Sequence, residues 1–507
     1  MNKPIIANFL DLIRNSSKEF GNRVFISSIL NKDHDFYYKD LLPFLSSLSG
    51  FLDQNKIPQT AKVGVMLPND ITIALLFLCI PALKRVFVPI NPKSSPEEVS
   101  YICIDAEVEF LVTLKTLKEN VPVGIKSKLI ELGTDWIDEL LNTFNREEKI
   151  SITIEQKEIA EIVYTSGTTG KPKGVELSHR NLISNSKGIS DSFNFRKSDR
   201  FLTITPLFHN SGQLFTTLAP MWTGSLTIPV RPEVALGAFW SLVVEKNITW
   251  TLGMGSHINF LISIIGKKYQ SLDHNLKGVL TGGMKLDEGK RRLFEDFYKT
   301  EIFITYGLTE TTSFATCENK HYESSPGSVG RPMSINKIKI DSAPGKTEGE
   351  ILIKGDNVFE KYHNLDNLTQ ERKSNGWLKT GDLGYLDDKG NLFITDRIDN
   401  LIIISGENVY PAEIEQHSLL IVELFEFMIV SKEHEIKGVE LAMVFTLKHK
   451  MLPDIKGWSK ILSTVLANYK IPTKFININD LGHTEIPKAL NGKLLRSTVQ
   501  NMVNDLI

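Results

Sequence analysis

The stretch YTSGTTGKPKGV, Tyr164 to Val175, places three glycines, four Ser/Thr hydroxyls and two lysines in a dozen positions. That mixture suits phosphate, because backbone N–H groups, hydroxyls and ammonium groups all donate to phosphate oxygens. A Walker-type loop needs G-x-x-x-x-G-K followed by Ser or Thr, whose hydroxyl binds Mg2+ while the lysine opens a helix. Here Pro172 follows Gly170 and Lys171, and Gly167 stands too close to serve as the first glycine. EIVYTSG before the loop reads as a strand, and KGVELSHRN after it as a strand running into a helix. The spacing therefore predicts a hydroxyl-rich, hairpin-like turn that folds over phosphates, not the loop of an ATPase or kinase that releases ADP. Most Gly/Ser/Thr-rich turns are plain surface loops; the two lysines and the strand context set this one apart.

This form of the stretch resembles the signature of the adenylate-forming superfamily, which holds acyl-CoA synthetases such as fatty-acid–CoA ligases, peptide-synthetase adenylation domains and luciferases. Further matches follow in the family's order over nearly the whole chain. The resemblance implies ATP-dependent activation of a carboxylic acid to acyl-AMP with release of pyrophosphate, then transfer to a thiol. An anionic carboxylate must attack an anionic α-phosphate, so cations and oriented donors have to neutralise charge in the transition state.

What the resemblance implies for individual residues can be followed along the chain. Thr165, Ser166, Gly167, Thr168, Thr169, Gly170, Lys171 and Lys173 would clasp the phosphates. In PLFHNSG, His209 would sit beside the acyl pocket; amino-acid-activating relatives often carry an acidic residue after the aromatic, so Phe208–His209–Asn210 favours an acid without an α-amino group. In LTGGMKL, Gly282, Gly283 and Met284 would border the adenine, the glycines permitting close backbone approach. In TYGLTE, Tyr306 would stack on adenine beside Gly307, Thr309 would reach phosphate, and Glu310 would hold Mg2+, a hard ion that takes carboxylate and phosphate oxygens. In KTGDLGYLD, Asp382 would accept from the ribose hydroxyls. In DRIDNLIIISGENVYPAEIE, Arg397 would contact ribose or phosphate and Asp399 would be the hinge, while Ser405, Gly406, Glu407 and Asn408 would face a pantetheine tunnel. The family commonly has glycine where this chain has Asp396, which puts the backbone geometry there in question. In IPKALNGKLLR, Lys493 would bridge carboxylate and α-phosphate. Taken singly, a histidine, a turn aspartate or a lysine is an ordinary structural or surface residue; their order carries the reading.

Lys493 and the SGENV segment cannot easily serve one site at the same moment. The family resolves this by rotating its small domain, and the same motion about Asp399 is expected here. The chain closes soon after Lys493, so the thiol is expected from outside: free CoA first, the phosphopantetheine of a separate acyl or peptidyl carrier protein as the alternative. TLGMGSHINFL, Thr251 to Leu261, departs from the proline-containing pattern of many relatives; Met254, Gly255, Ser256 and Ile258 could shape an acyl tunnel or equally be core.

The elements that must hold these residues read as α/β. AKVGVML is a strand, DITIALLFLCIPAL a helix opening at Asp70, RVFVPI a strand, PEEVSYICIDAE a helix and VEFLVT a strand, an alternation that argues for parallel pairing. The rhythm returns in DRFLTITPL, the helical FHNSGQLFTTLAPMWTG, SLTIPV, NLKGVLTGG and EIFITYG, whose strand-to-glycine junctions are where open α/β sheets place ligands. From about Lys337 short β segments take over, and after about Asn400 the pattern becomes α+β. The expectation is a large multi-layer N-terminal domain, 1–398, with parallel-rich sheets and a β-rich portion, and a small mobile α+β C-terminal domain, 399–507, carrying the lysine.

Composition narrows the classes. The chain has 507 residues, too many for one core. Its 58 basic and 60 acidic residues give a formal charge of -2, which offers no electrostatic footprint for nucleic acid or an anionic membrane. The basic stretch Lys115–Lys118 reads as a solvated face. Cys79, Cys103 and Cys317 lack CxxC spacing, so core thiols in a reducing compartment are expected instead of a disulfide framework or zinc site. The N-terminus lacks a signal-peptide pattern, and its Phe9, Leu10, Leu12 and Ile13 fit one face of a short helix. The most apolar run, Ile73 to Leu83, is shorter than the roughly 18–20 residues of a membrane span. A cytoplasmic protein is expected.

Overall fold

Asp70 opens the first βα unit as its sequence requires: its side chain accepts from the Ile73 N–H at 3.1 Å and caps the helix Ile71–Ala82. The computed structural model describes residues 5–29, 35–144, 150–165, 172–264, 273–283, 286–322, 324–404, 407–434, 438–448, 451–488 and 494–505. The helix Ile71–Ala82 is apolar all round and buried from Ile73 to Ala82, so it is packed inside protein and does not float on a surface. The strand Lys62–Met66 before it pairs in parallel with Val86–Pro89 on one side and Phe110–Leu114 on the other. Parallel neighbours need crossovers, and the helices Ile71–Ala82 and Pro96–Asp105 supply them. The finished seven-stranded sheet runs Lys361–Tyr362, Lys173–Ser178, Ile159–Thr165, Val86–Pro89, Lys62–Met66, Phe110–Leu114, Lys128–Leu132.

A nine-stranded sheet is built the same way. Its inner strands, Glu301–Tyr306, Gly278–Gly282, Trp250–Leu252, Arg200–Thr203, Leu226–Pro229 and Val24–Ser27, are parallel. Antiparallel strands close both edges: Asp35–Tyr37 at one, Thr316–Cys317 and Arg331–Pro332 at the other. One core packs under it around Trp240, Phe239, Phe294 and Tyr298, with Ile258 fully buried among them. The fold is thus α/β with parallel-rich sheets. The expected β-rich portion is a five-stranded sheet of Asn336–Asp341, Gly349–Gly355, Lys373–Ser374, Trp377–Leu386 and Leu392–Arg397.

Two compact units divide the chain: Met1–Lys339, Leu352–Lys379 and Gly390–Leu392 form one, and Ile340–Ile351, Thr380–Lys389 and Phe393–Ile507 the other. The second unit therefore begins at Ile340, upstream of residue 399. Within it, Leu424–His434, Gly438–Leu447 and Lys474–Asn477 make a three-stranded sheet. Alternation sends Ile429, Leu441, Met443 and Phe445 to one face, against Ile414 and Trp458 of the helices Pro411–Ser418 and Ile455–Ser463. Met428, Val430, Ala442 and Val444 go to the other face, against Val499 and Val503 of the helix Arg496–Asn504.

The N-terminal helix Phe9–Phe20 buries Phe9, Leu10, Leu12 and Ile13. All three cysteines are buried. Among the described residues no helix is long and apolar enough to cross a membrane.

Candidate active site

The strands on either side of residues 166–171 are held firmly. Ile159–Thr165 and Lys173–Ser178 are antiparallel neighbours, with Thr165 opposite Lys173. A strand thus returns at Lys173, and the helix His179–Phe193 begins only beyond Ser178, which caps it. These antiparallel flanks fit a hairpin, whereas the lysine of a Walker loop opens a helix. The helix Pro96–Asp105 ties both flanks: Tyr164 Oη donates to Asp105 at 2.6 Å, and Tyr101 Oη donates to the Pro172 carbonyl at 3.0 Å. Burial and the neighbouring Asp105 carboxylate raise the Tyr164 pKa and keep its proton in place. Ser166, Gly167, Thr168, Thr169, Gly170 and Lys171 lie outside the described residues.

The segments expected on the adenine side are adjacent strand ends. Gly282 pairs with Thr305, and a side chain at 282 would meet the Thr305 carbonyl at 2.6 Å. Gly283 has φ +78°, in the left-handed region where glycine is favoured; Met284 lies outside the described residues. Tyr306 is buried at the strand end. Gly307 is fixed by contact: a Cβ there would sit 2.2 Å from the Ser313 carbonyl oxygen. Thr309 and Glu310 follow in the short turn Thr309–Thr311, and Thr312 and Ser313 then take φ of 53° and 72°. Two consecutive non-glycine residues there, one β-branched, store strain. Buried amides hold it. Asn185 and Asn357 each donate to the carbonyls of Thr311 and Phe314 at 2.7–3.1 Å.

Glu310 is oriented from two sides. Its backbone carbonyl accepts from the Phe359 N–H at 2.8 Å, and its Oε1 accepts from Tyr362 Oη at 2.6 Å. Tyr362 sits opposite Val175 on the strand leaving the phosphate loop, so one tyrosine joins that strand to the acid. Beside it, buried His363 and Glu176 pair at 2.6 Å. Among the described residues no group of three or more His, Cys, Asp or Glu could hold a metal ion. Tyr362 engages Oε1 of the Glu310 carboxylate, a ligand type that fits an ion sharing phosphate and water oxygens, as Mg2+ does.

His209 lies in a turn anchored at Leu207. The Leu207 N–H donates to Asn69 Oδ1 at 2.8 Å, and its carbonyl accepts from Gln213 Nε2 at 2.9 Å. His209 is half-buried, and burial pushes its pKa down to about 4. It is therefore neutral near pH 7. The next residue, Asn210, accepts from Ser313 Oγ, which joins this turn to the strained loop after Tyr306. The helix expected over 208–224 starts at Asn210, because His209 is extended, and contains a π-helical turn, Leu214–Leu218. Such turns often mark functional segments. Of the four residues weighed as tunnel or core, Ile258 and Gly255 are buried, Met254 is half-buried and Ser256 is exposed at the start of the helix Gly255–Ser263.

In the second unit, Asp382 and Arg397 come together. Arg397 NH1 donates to buried Asp382 Oδ1 at 3.1 Å, and its NH2 lies 3.6 Å from Asp399. Asp396 needs no positive φ. Its carboxylate accepts from the N–H of Arg397 at 2.6 Å, from Asn400 Nδ2 at 2.8 Å and from the N–H of Ala412 at 2.9 Å. The residue that departs from the family's glycine thus ties the junction to the N-terminus of the helix Pro411–Ser418, where an anion is favoured. Ile402–Ile404 and Glu407–Val409 form a hairpin with Ile404 opposite Glu407. Ser405, Gly406, the side chains of Glu407 and Asn408, and Lys493 lie outside the description. The chain on either side of Lys493 is closed by a bridge between Lys488 and Leu494.

Tyr362, Asn185, Asn357, Tyr101 and Asp105 had no motif to announce them. Only TYGLTE and the loop signature pointed to the places they support.

A family model described as AMP-binding enzyme matches residues 13–363. The chain is 30% identical over 459 residues to 2-succinylbenzoate–CoA ligase of Bacillus mycoides (strain KBAB4), covering 89% of this chain and 90% of that one. Two solved structures of o-succinylbenzoate CoA synthetase (MenE) from Bacillus subtilis match at 25% identity. The complex with the acyl-adenylate intermediate OSB-AMP has a TM-score of 0.84 over 98% of both chains. The complex with ATP and magnesium ion has a TM-score of 0.83 over 96% of this chain and 99% of that one. The fold and the order of the site segments define an enzyme that joins acids to thiols. The chain belongs to the AMP-binding enzyme family.

Proposed function

We propose that the protein activates a carboxylic acid with ATP and transfers the acyl group to the thiol of CoA. The observation that carries this reading is the tie of Glu310, through Tyr362, to the strand that leaves the phosphate loop. That tie supports reading Glu310 as the metal-binding carboxylate of the site whose phosphate clasp is expected between Thr165 and Lys173. In the first step a carboxylate oxygen attacks the α-phosphorus, the α–β bridging P–O bond breaks, and pyrophosphate leaves with the electron pair. Ser166, Thr168, Thr169 and Lys171 donate to the leaving pyrophosphate, and Lys493 spans the carboxylate and the α-phosphate. Tyr306 stacks on adenine, and Asp382 accepts from the ribose with Arg397 holding its carboxylate. Mg2+, when bound, supplies charge neutralisation to the phosphate oxygens, and Glu310 would hold it.

His209, being neutral, meets the substrate carboxylate as an N–H donor and not as a counter-ion. In the second step the CoA sulfur attacks the acyl carbon, the C–O bond to AMP breaks, and the thiol proton leaves to solvent. The 405–408 segment lines the thiol path after the C-terminal segment turns about Asp399, and the boundary 398/399 is where that motion divides the chain.

The names of the relatives make 2-succinylbenzoate the first acid to test. The protein is incubated with ATP, Mg2+ and CoA, using 2-succinylbenzoate in one arm and aliphatic acids in others, and products are read by mass spectrometry. AMP with acyl-CoA is expected. Thioester formed only on a phosphopantetheinylated carrier protein would move the acceptor from CoA to a carrier, and ADP as the nucleotide product would overturn the reading.

A further inference from the structure

Glu161 is a buried acid that the reaction above does not use. It lies on the strand Ile159–Thr165, with Phe87 and Leu177 as its partners on either side, in the inner part of the seven-stranded sheet. The side chain is 0% exposed, and neither carboxyl oxygen has a hydrogen-bond partner among the described residues. The side chain of Gln213, also 0% exposed, is its polar neighbour, and Gln213 Oε1 is likewise without a partner.

The orientation of that amide is fixed. Its Nε2 donates to the Leu207 carbonyl at 2.9 Å, and a carbonyl can only accept, so the NH2 end must face Leu207. The oxygen end is left for a donor. An ionised Glu161 would set unpaired acceptors against one another in a dry core, the most costly way to bury polar groups. One proton satisfies both. Burial pushes the Glu161 pKa up to about 8 against a smaller downward pull from the Gln213 side chain, and no charged residue acts on it.

We infer that Glu161 is a carboxylic acid whose O–H donates to Gln213 Oε1, and that it acts as a positioning residue. Through Gln213 it fixes the Leu207 carbonyl and so the turn that presents His209. The same acid stands four positions before Thr165, on the strand that feeds the phosphate loop. A single neutral hydrogen bond thus links the element carrying the ATP clasp to the element carrying the acyl-side histidine. The functional half of this inference rests on the reading of His209 given above; the protonation half does not.

Two measurements on the full chain separate them. The first is the infrared difference spectrum of wild type minus Glu161→Gln at pH 7. A deuterium-sensitive stretch of a protonated carboxylic acid is expected; a carboxylate pair of bands in its place would overturn the inference. The second is acid-dependent pyrophosphate–ATP exchange. Glu161→Gln keeps an N–H donor for Gln213 Oε1 and should stay within about 2-fold of wild type. Gln213→Leu and Glu161→Leu should each raise KM for the acid about 10-fold, leave KM for ATP within about 2-fold, and not add in the double variant. Equal impairment of Glu161→Gln and Glu161→Leu would refute the positioning role. Should Glu161→Leu not fold, Gln213→Leu and the spectrum decide the matter. Absence of exchange in the wild type with every acid would count against the proposed function and leave the spectrum standing.

Discussion

At the scale of single residues, Tyr362 and Glu310 carry the most specific consequence. A hydrogen bond to a carboxylate contributes about 1.5–3 kcal/mol, and removing it also frees the carboxylate to rotate. Tyr362→Phe should therefore lower kcat/KM for MgATP about 10-fold or more in pyrophosphate exchange, with partial recovery as free Mg2+ is raised. A loss that Mg2+ does not touch would separate the tyrosine from the metal-binding role proposed for Glu310. Glu310 was legible in the sequence because TYGLTE follows the loop signature. Tyr362 was not, because its partner lies 52 positions away and the strand Lys361–Tyr362 is only two residues long. A hydrogen bond between remote elements leaves no periodicity behind. Asp396 is the converse: the sequence marked it as a departure, and only its three accepted bonds gave it a structural job.

At the scale of elements, the loop from Gly307 to Phe314 is strained and pinned. Removing one of its two amide supports leaves the Thr311 and Phe314 carbonyls with a single donor each. Asn357→Ala should destabilise the protein by about 1–3 kcal/mol, read as a lower urea midpoint with an unchanged slope. No change would mean that the loop holds its left-handed residues without help. Asp396→Gly removes the anion from the first turn of the helix Pro411–Ser418 and frees the junction backbone, and should lower Tm by several degrees. Most strands and helices here were legible, because apolar runs closed by Gly, Pro or Asp announce them. The π-helical turn and the extended His209 were not. Local propensity in FHNSGQLFTTLAPMWTG favours one plain helix, and the observed start is set by Asn69 and Gln213 gripping Leu207.

At the scale of the whole molecule, buried titratable groups shape stability against pH. Burial lowers His179 to about 3 and His209 and His257 to about 4, from an ordinary 6.5. Below pH 6.5 the unfolded chain takes up these protons and the folded one does not, so stability falls with acid at about 1.4 kcal/mol per pH unit for each. Glu161, raised to about 8, and Asp70, raised to about 6, act oppositely: the unfolded chain releases their protons first, so each loses stability as pH rises toward its folded value. Denaturation midpoints should peak near pH 6.5, with three imidazoles outweighing two carboxyls on the acid side. Glu161→Gln should flatten the decline between pH 6.5 and 8; an unchanged decline would deny that this acid ionises there.

With two steps served by one rotating segment, Lys493→Ala should abolish acyl-adenylate formation yet largely spare thioester formation from supplied acyl-adenylate. Equal loss of both would argue against a turn about Asp399. The most direct test of the central claim, cleavage at the α-phosphate by a carboxylic acid, is exchange of labelled pyrophosphate into ATP without CoA. Exchange should depend on both Mg2+ and the acid, with AMP as the only nucleotide product once CoA is added. Release of ADP, or exchange indifferent to the acid, would contradict it.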